Sequence, residues 1–338
     1  MKIIYKKDDL IFIAKKIKTV ADFNKFIEYY SNYLEYVMER DISNVNANFR
    51  NDLKNLIIEF IFKAYKEGYI NERNMPICLE RIIKTTQKIN IITTSFGVVG
   101  ENQIGFNFAS HEFIGYMKHY VFHELTHCIT DVNNFGTPTD KNNSLGIYRI
   151  VPEYIIGNGI VPSYTEPILT NGFMRFLNEI MAESTACYLA DSFLKDKQTA
   201  YSSPNYIKTN WHTPYNQTYQ QLGYEFIRTF LFPNCIDEKE IFKKITLLSI
   251  NGNNIGKKIL EAAKMINQED YKEDLHRIAL ILENILNTHS LFDDDVKTFR
   301  NILKKYANYK KNKIISISPA LNSTIQITHD EDYSQKKR

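Results

Sequence analysis

Residues 111–131 read HEFIGYMKHYVFHELTHCITD, and the interpretation of the whole chain turns on them. Apolar Val121, Phe122, Leu125 and Ile129 recur at helical spacing beside a polar stripe of Tyr120, His123, Glu124, His127 and Asp131. The pattern predicts a helix over about 111–131, with Ser110 as its N-cap and Glu112 at the positive end of its dipole. Positions four apart on a helix differ by about 40° around the axis. His123 and His127 therefore project side by side, and two imidazoles so placed bind one metal ion at about 2.0–2.1 Å. Glu124 leans toward the same cavity, where it is placed as general base on a metal-bound water rather than as a ligand.

A catalytic zinc site takes three protein ligands and one open position. The candidates for the third lie in a second helix expected over about 172–194, at Asn178-Glu179-Ile180-Met181-Ala182-Glu183. Glu179 and Glu183 share a face of a helix that is otherwise apolar, with Phe176, Leu177, Ile180, Met181, Ala186 and Leu189. Acids on such a helix need a reason, and a cation supplies one. One carboxylate can bind the ion while the other orients a ligand histidine. Asp131 on the first stripe and Asp140 in Gly136-Thr137-Pro138-Thr139-Asp140 are the other acids in play.

HELTH followed by NEIMAE resembles the gluzincin metallopeptidases, the thermolysin-like zincins, over about residues 95–195. The resemblance implies Zn2+ as cofactor, His123, His127 and Glu179 as its ligands, and Glu183 as the acid that holds a HELTH histidine, with Asp131 in a similar supporting place. It implies hydrolysis of a peptide bond in a peptide or protein substrate, with Glu124 as base. A Tyr or His beyond the zinc helices is expected to stabilise the oxyanion, and His212, Tyr215 and Tyr219 are the candidates. The strand expected at Gln103–Phe108 is, by the same similarity, the edge that pairs with an extended substrate. Gly136–Asp140 is similar to the GTxxD element of aspzincins, although the Tyr-Gly that follows it there is absent. Two further functions stay open: a dedicated effector, toxin or regulatory zincin acting on one partner protein, and a degenerate zincin with structural zinc. The intact Glu124 argues against the last.

Outward from these motifs, residues 9–70 carry apolar positions at helical spacing, as in Phe23, Phe26, Ile27 and Tyr30. Short strands are expected at Asn90–Thr94 and Gln103–Phe108, and a loop-rich stretch over 132–170. Helices follow at about 255–267, 273–288 and 294–309. The fold class is α+β and predominantly helical: a zincin-like core with a small mixed sheet and two zinc-binding helices, flanked by N- and C-terminal helices. The divisions are an N-terminal helical region at 1–88, the core at 89–250, a C-terminal helical region at 251–311 and a disordered tail at 312–338.

The chain has 338 residues, 43% hydrophobic and 24% charged, which is an ordinary globular balance. A formal charge of +3 implies no nucleic-acid partner, and the basic cluster at Lys310, Lys311 and Lys313 is short. No apolar run approaches the roughly 20 residues that span a bilayer. Charges interrupt the first residues, so no cleaved signal peptide is read there. Cys78, Cys128, Cys187 and Cys235 form no CxxC pair, and Cys128 and Cys187 read as buried packing groups. The expected location is the cytoplasm, the alternative being export without a cleaved signal.

Overall fold

A computed structural model describes residues 5–92, 97–100, 102–107, 114–130, 148–151, 154–156, 159–161, 164–190, 217–288 and 291–313. The N-terminal part is α1 (Lys7–Ala14), α2 (Val20–Asp41), α3 (Ala47–Lys66) and α4 (Met75–Thr85). Strands β1 (Ile89–Ile92), β2 (Gly97–Gly100) and β3 (Gln103–Asn107) lead into α5 (Ile114–Ile129), which carries HELTH. Four short strands follow: β4 (Tyr148–Val151), β5 (Tyr154–Ile156), β6 (Gly159–Val161) and β7 (Tyr164–Pro167). The remaining described elements are helices: α6 (Asn171–Ala190), α7 (Gln217–Phe230), α8 (Glu238–Ile250), α9 (Ile255–Ile266), α10 (Tyr271–Thr288) and α11 (Asp293–Lys313). The protein is thus predominantly helical with small sheets, as the periodicity predicts.

Local chemistry explains several helix starts. Thr19 accepts from the Asp22 N–H at 3.1 Å while Asp22 accepts from the Thr19 N–H at 3.1 Å, a reciprocal cap for α2. Asn46, Asp237 and Asn254 cap α3, α8 and α9 by accepting from Asn48, Lys239 and Lys257. Helix α8 has no separate place in the sequence reading, although Asp237 and the spacing of Ile241, Phe242, Ile245 and Leu248 announce it.

The first sheet corrects one expectation. Its strand order is β1-β3-β2, with β1 parallel and β2 antiparallel to β3. Strand β3 is central, with both hydrogen-bonding edges engaged, so it cannot be the strand that receives a substrate. The register pairs Ile89 with Ile104 and Ile91 with Phe106. Ile89, Ile104 and Phe106 are buried. Gly105 between them faces a tight spot, where a Cβ would come within 2.9 Å of Ile92 Cγ2. The stretch 132–170, read as loop, also contains structure: β4 pairs antiparallel with β7, and β5 with β6. These strands are only three or four residues long, too short to show a period.

Two hydrophobic clusters fill the interior. One joins α1–α4, β1, β3 and α5 with Ala186, Leu189 and Ala190 of α6. The other joins the first part of α6, from Phe173 to Met181, with α7–α11. Helix α6 therefore belongs to both. Phe60 of α3 meets Phe122 of α5 edge-on, with centroids 5.3 Å apart. Gly223 of α7 lets that helix approach Ile180 of α6, since a Cβ there would stand 2.6 Å from Ile180 Cγ2. Among the described residues no helix is long and apolar enough to cross a membrane.

Two outcomes test this packing. Gly223→Val should destabilise the fold by about 1–3 kcal/mol through overpacking against Ile180, read as a lower thermal midpoint. The helix-propensity gain from losing a glycine, under about 1 kcal/mol, offsets only part of this. Asp41 ties the end of α2 to β1, accepting from Arg40 Nε at 2.7 Å and from the Ile89 N–H at 2.9 Å. Burial works to raise its pKa, but these donors hold it below the usual value. A depressed carboxylate stabilises above its unfolded pKa of about 3.9, and the gain is lost as pH falls through the lower folded value. Asp41→Asn should therefore be less stable than wild type at pH ~6, with the gap closing below pH ~4 in denaturant melts.

Candidate metal centre

Helices α5 and α6 pack against each other through the middle of the molecule, and their polar stripes meet there. As residue numbers fall along α5 the partners on α6 rise, so the two run antiparallel. His123 Nε2 lies 3.0 Å from His127 Nε2 and 3.3 Å from Glu179 Oε2. His127 Nε2 lies 3.5 Å from the same Glu179 oxygen. Three ligand atoms of a tetrahedral zinc ion with bonds of about 2.0–2.1 Å are spaced roughly 3.3 Å apart. The observed triangle has that size, and its corners are two imidazole nitrogens and a carboxylate oxygen.

The surroundings fit a cation as well. His123 Nδ1 is 3.0 Å from Glu183 Oε2, so a metal-facing Nε2 lone pair leaves Nδ1–H to donate to the carboxylate. His127 Nδ1 is 3.2 Å from the side-chain amide of Asn178, whose Oδ1 is buried without a hydrogen-bond partner. Turning that amide over lets Oδ1 accept the His127 Nδ1–H and satisfies the orphaned oxygen. Both histidines then present Nε2 to the same point, each steadied from behind.

Charge points the same way. Glu124 and Glu183 are buried, and Glu179 is mostly buried. With neutral imidazoles these three carboxylates would leave excess negative charge in a largely dry place. Burial works against ionising Glu179, yet His123 and His127 hold it well below the usual carboxylate range. Burial likewise opposes Glu183, but the charge and hydrogen bond of His119 and the hydrogen bond of His123 bring it down to about 2. Burial also works to strip the proton from His123, and contacts with Glu179 and Glu183 keep it on. A pocket that retains a proton on a buried imidazole attracts positive charge. Glu124 differs: burial raises its pKa, with His123 and His127 pulling against that. Its carboxyl lies within electrostatic reach of His123, His127, Glu179 and Glu183.

Of the residues singled out in the sequence, His123, Glu124, His127, Glu179 and Glu183 come together. Asp131, Asp140, His212 and Tyr215 lie outside the described residues. Tyr219 is buried in the cluster around α7, away from the carboxylates in sequence and packed among apolar side chains. Sequence reasoning overlooked His119, whose Nε2 is 3.0 Å from Glu183 Oε2. The signal was present: His119 precedes His123 by the same four residues that separate His123 from His127. Asn178 stands in the NEIMAE motif, and the structure places its side chain beside His127.

No family model matches the chain, and neither a curated protein nor a solved structure matches it.

Glu183→Gln removes the charge behind His123 while keeping the shape. The substitution should weaken binding of a metal ion at the triangle about 10–100-fold in chelator competition. Glu179→Ala should weaken it far more, because it deletes a corner of the triangle.

Proposed function

We propose that the protein is a zinc-dependent peptidase of the gluzincin type, with a zincin-like core built on α5 and α6. The observation that carries this reading is the 3.0, 3.3 and 3.5 Å triangle of His123, His127 and Glu179 with Glu124 beside it. Zinc, when bound there, supplies a Lewis acid that polarises a carbonyl and acidifies water. His123, His127 and Glu179 would hold it, while Glu183 and Asn178 would fix the two rings. Glu124 is left to move the proton. Its carboxyl, raised by burial, is closer to neutrality than an exposed glutamate and so suits both halves of the task. It takes a proton from the attacking water and returns it to the leaving amine.

The substrate strand moves from β3 to β2. Strand β2 is an outer strand of the first sheet and packs against α5, which carries Glu124. An extended peptide laid along its outer side would add a strand next to the histidine helix.

Wild type and Glu124→Gln, assayed for zinc content and for cleavage of a peptide library, test the proposal. Equal zinc content and a loss of cleavage of about 10²–10⁴-fold are expected for a proton carrier that is not a ligand. Equal cleavage by the two proteins would sink the mechanism.

A further inference from the structure

The polar stripes extend past the peptidase group. His119 lies one turn before His123 on α5, and Cys187 lies one turn beyond Glu183 on α6. The three side chains converge: His119 Nε2 stands 3.0 Å from Glu183 Oε2, and one ligand atom each of His119, Glu183 and Cys187 lie within 4.8 Å of one another. They are 6%, 5% and 8% exposed, so the group is closed to solvent. The Gln220 side-chain amide donates through Nε2 toward Cys187 Sγ at 3.8 Å, which uses the sulfur as an acceptor.

We propose that His119, Glu183 and Cys187 form a second cation site, for a thiophilic divalent ion such as zinc, one helical turn from the first group. Nitrogen, oxygen and sulfur together suit zinc or cobalt and not magnesium or calcium, which take oxygen alone. A thiolate, a carboxylate and a neutral imidazole carry two negative charges, and a divalent ion balances them in a place without water. His119, Glu183 and Cys187 each offer one donor atom, so three residues would hold the ion. Burial leaves no route for a substrate, so the role is structural. The site also reaches the first group, because Glu183 Oε2 accepts from His123 Nδ1 at 3.0 Å. Cys187 is then a ligand and not the packing group that its apolar helix suggests. The inference does not depend on the peptidase reading, since a structural ion requires no reaction.

Cobalt reports on sulfur directly. The full chain, stripped of metal and titrated with Co2+, should develop a near-ultraviolet sulfur-to-cobalt charge-transfer band. It should bind one equivalent more than Cys187→Ser, which loses the band. The double substitution His127→Ala/Glu179→Gln should keep the band while losing the other equivalent, so failure of the peptidase reading would leave this result intact. His119→Gln, a second variant in case Cys187→Ser does not fold, should weaken the affinity read from the band at least tenfold. Absence of the band in wild type, or a band that survives Cys187→Ser in folded protein, overturns the inference.

Discussion

Charged side chains at the contact of two helices inside an apolar core must find partners there, because little water reaches them. Helices α5 and α6 meet this constraint with alternating imidazoles and carboxylates. His127 and His123 face Glu179, and His123 and His119 face Glu183. Burial at these positions disfavours every charge taken singly. The pairs survive because each carboxylate has two imidazoles within hydrogen-bonding distance or close to it. The other described helices pack around this seam: α1–α4 on the α5 side and α7 and α9–α11 on the α6 side, with α8 reaching both through Leu247 and Ile250.

The flanking helices are consequently part of what holds the centre. Phe122 sits between His119 and His123 in sequence and packs on Phe60 of α3. Lys118 of the same helix reaches Glu59 at 2.7 Å. On the other side Ile180, next to Glu179, is pressed by α7, and Thr185 meets Thr246 of α8 at 2.9 Å. A change in any of these supports acts on the angle at which the ligand-type side chains are presented. Geometry at such centres is sensitive to shifts well under 1 Å.

Much of this was legible in the chain. HELTH and NEIMAE are local patterns, and helical spacing alone says which residues share a face. The long helices of both ends are readable for the same reason. What escaped was set by contacts distant in sequence. Nothing in QIGFN says that β1 will run parallel beside it, yet that pairing makes β3 central and excludes it as a docking edge. His119 on its own looks like an ordinary core histidine, and Cys187 like a small hydrophobe. They gain meaning only when two helices from separate parts of the chain are laid side by side. Asn178 shows a middle case, in which the residue stands in the motif but its partner His127 is 3.2 Å away on another element.

A stripe that repeats every four residues on both helices resembles a ladder with equal rungs. Slid by one turn, about 5.4 Å along the axis, such a ladder loses an imidazole at one end, because three histidines face only two carboxylates. Full pairing therefore exists in one alignment of α5 and α6. The seam acts as its own detent. It selects which rung faces which, and hence which three atoms become the corners of a triangle.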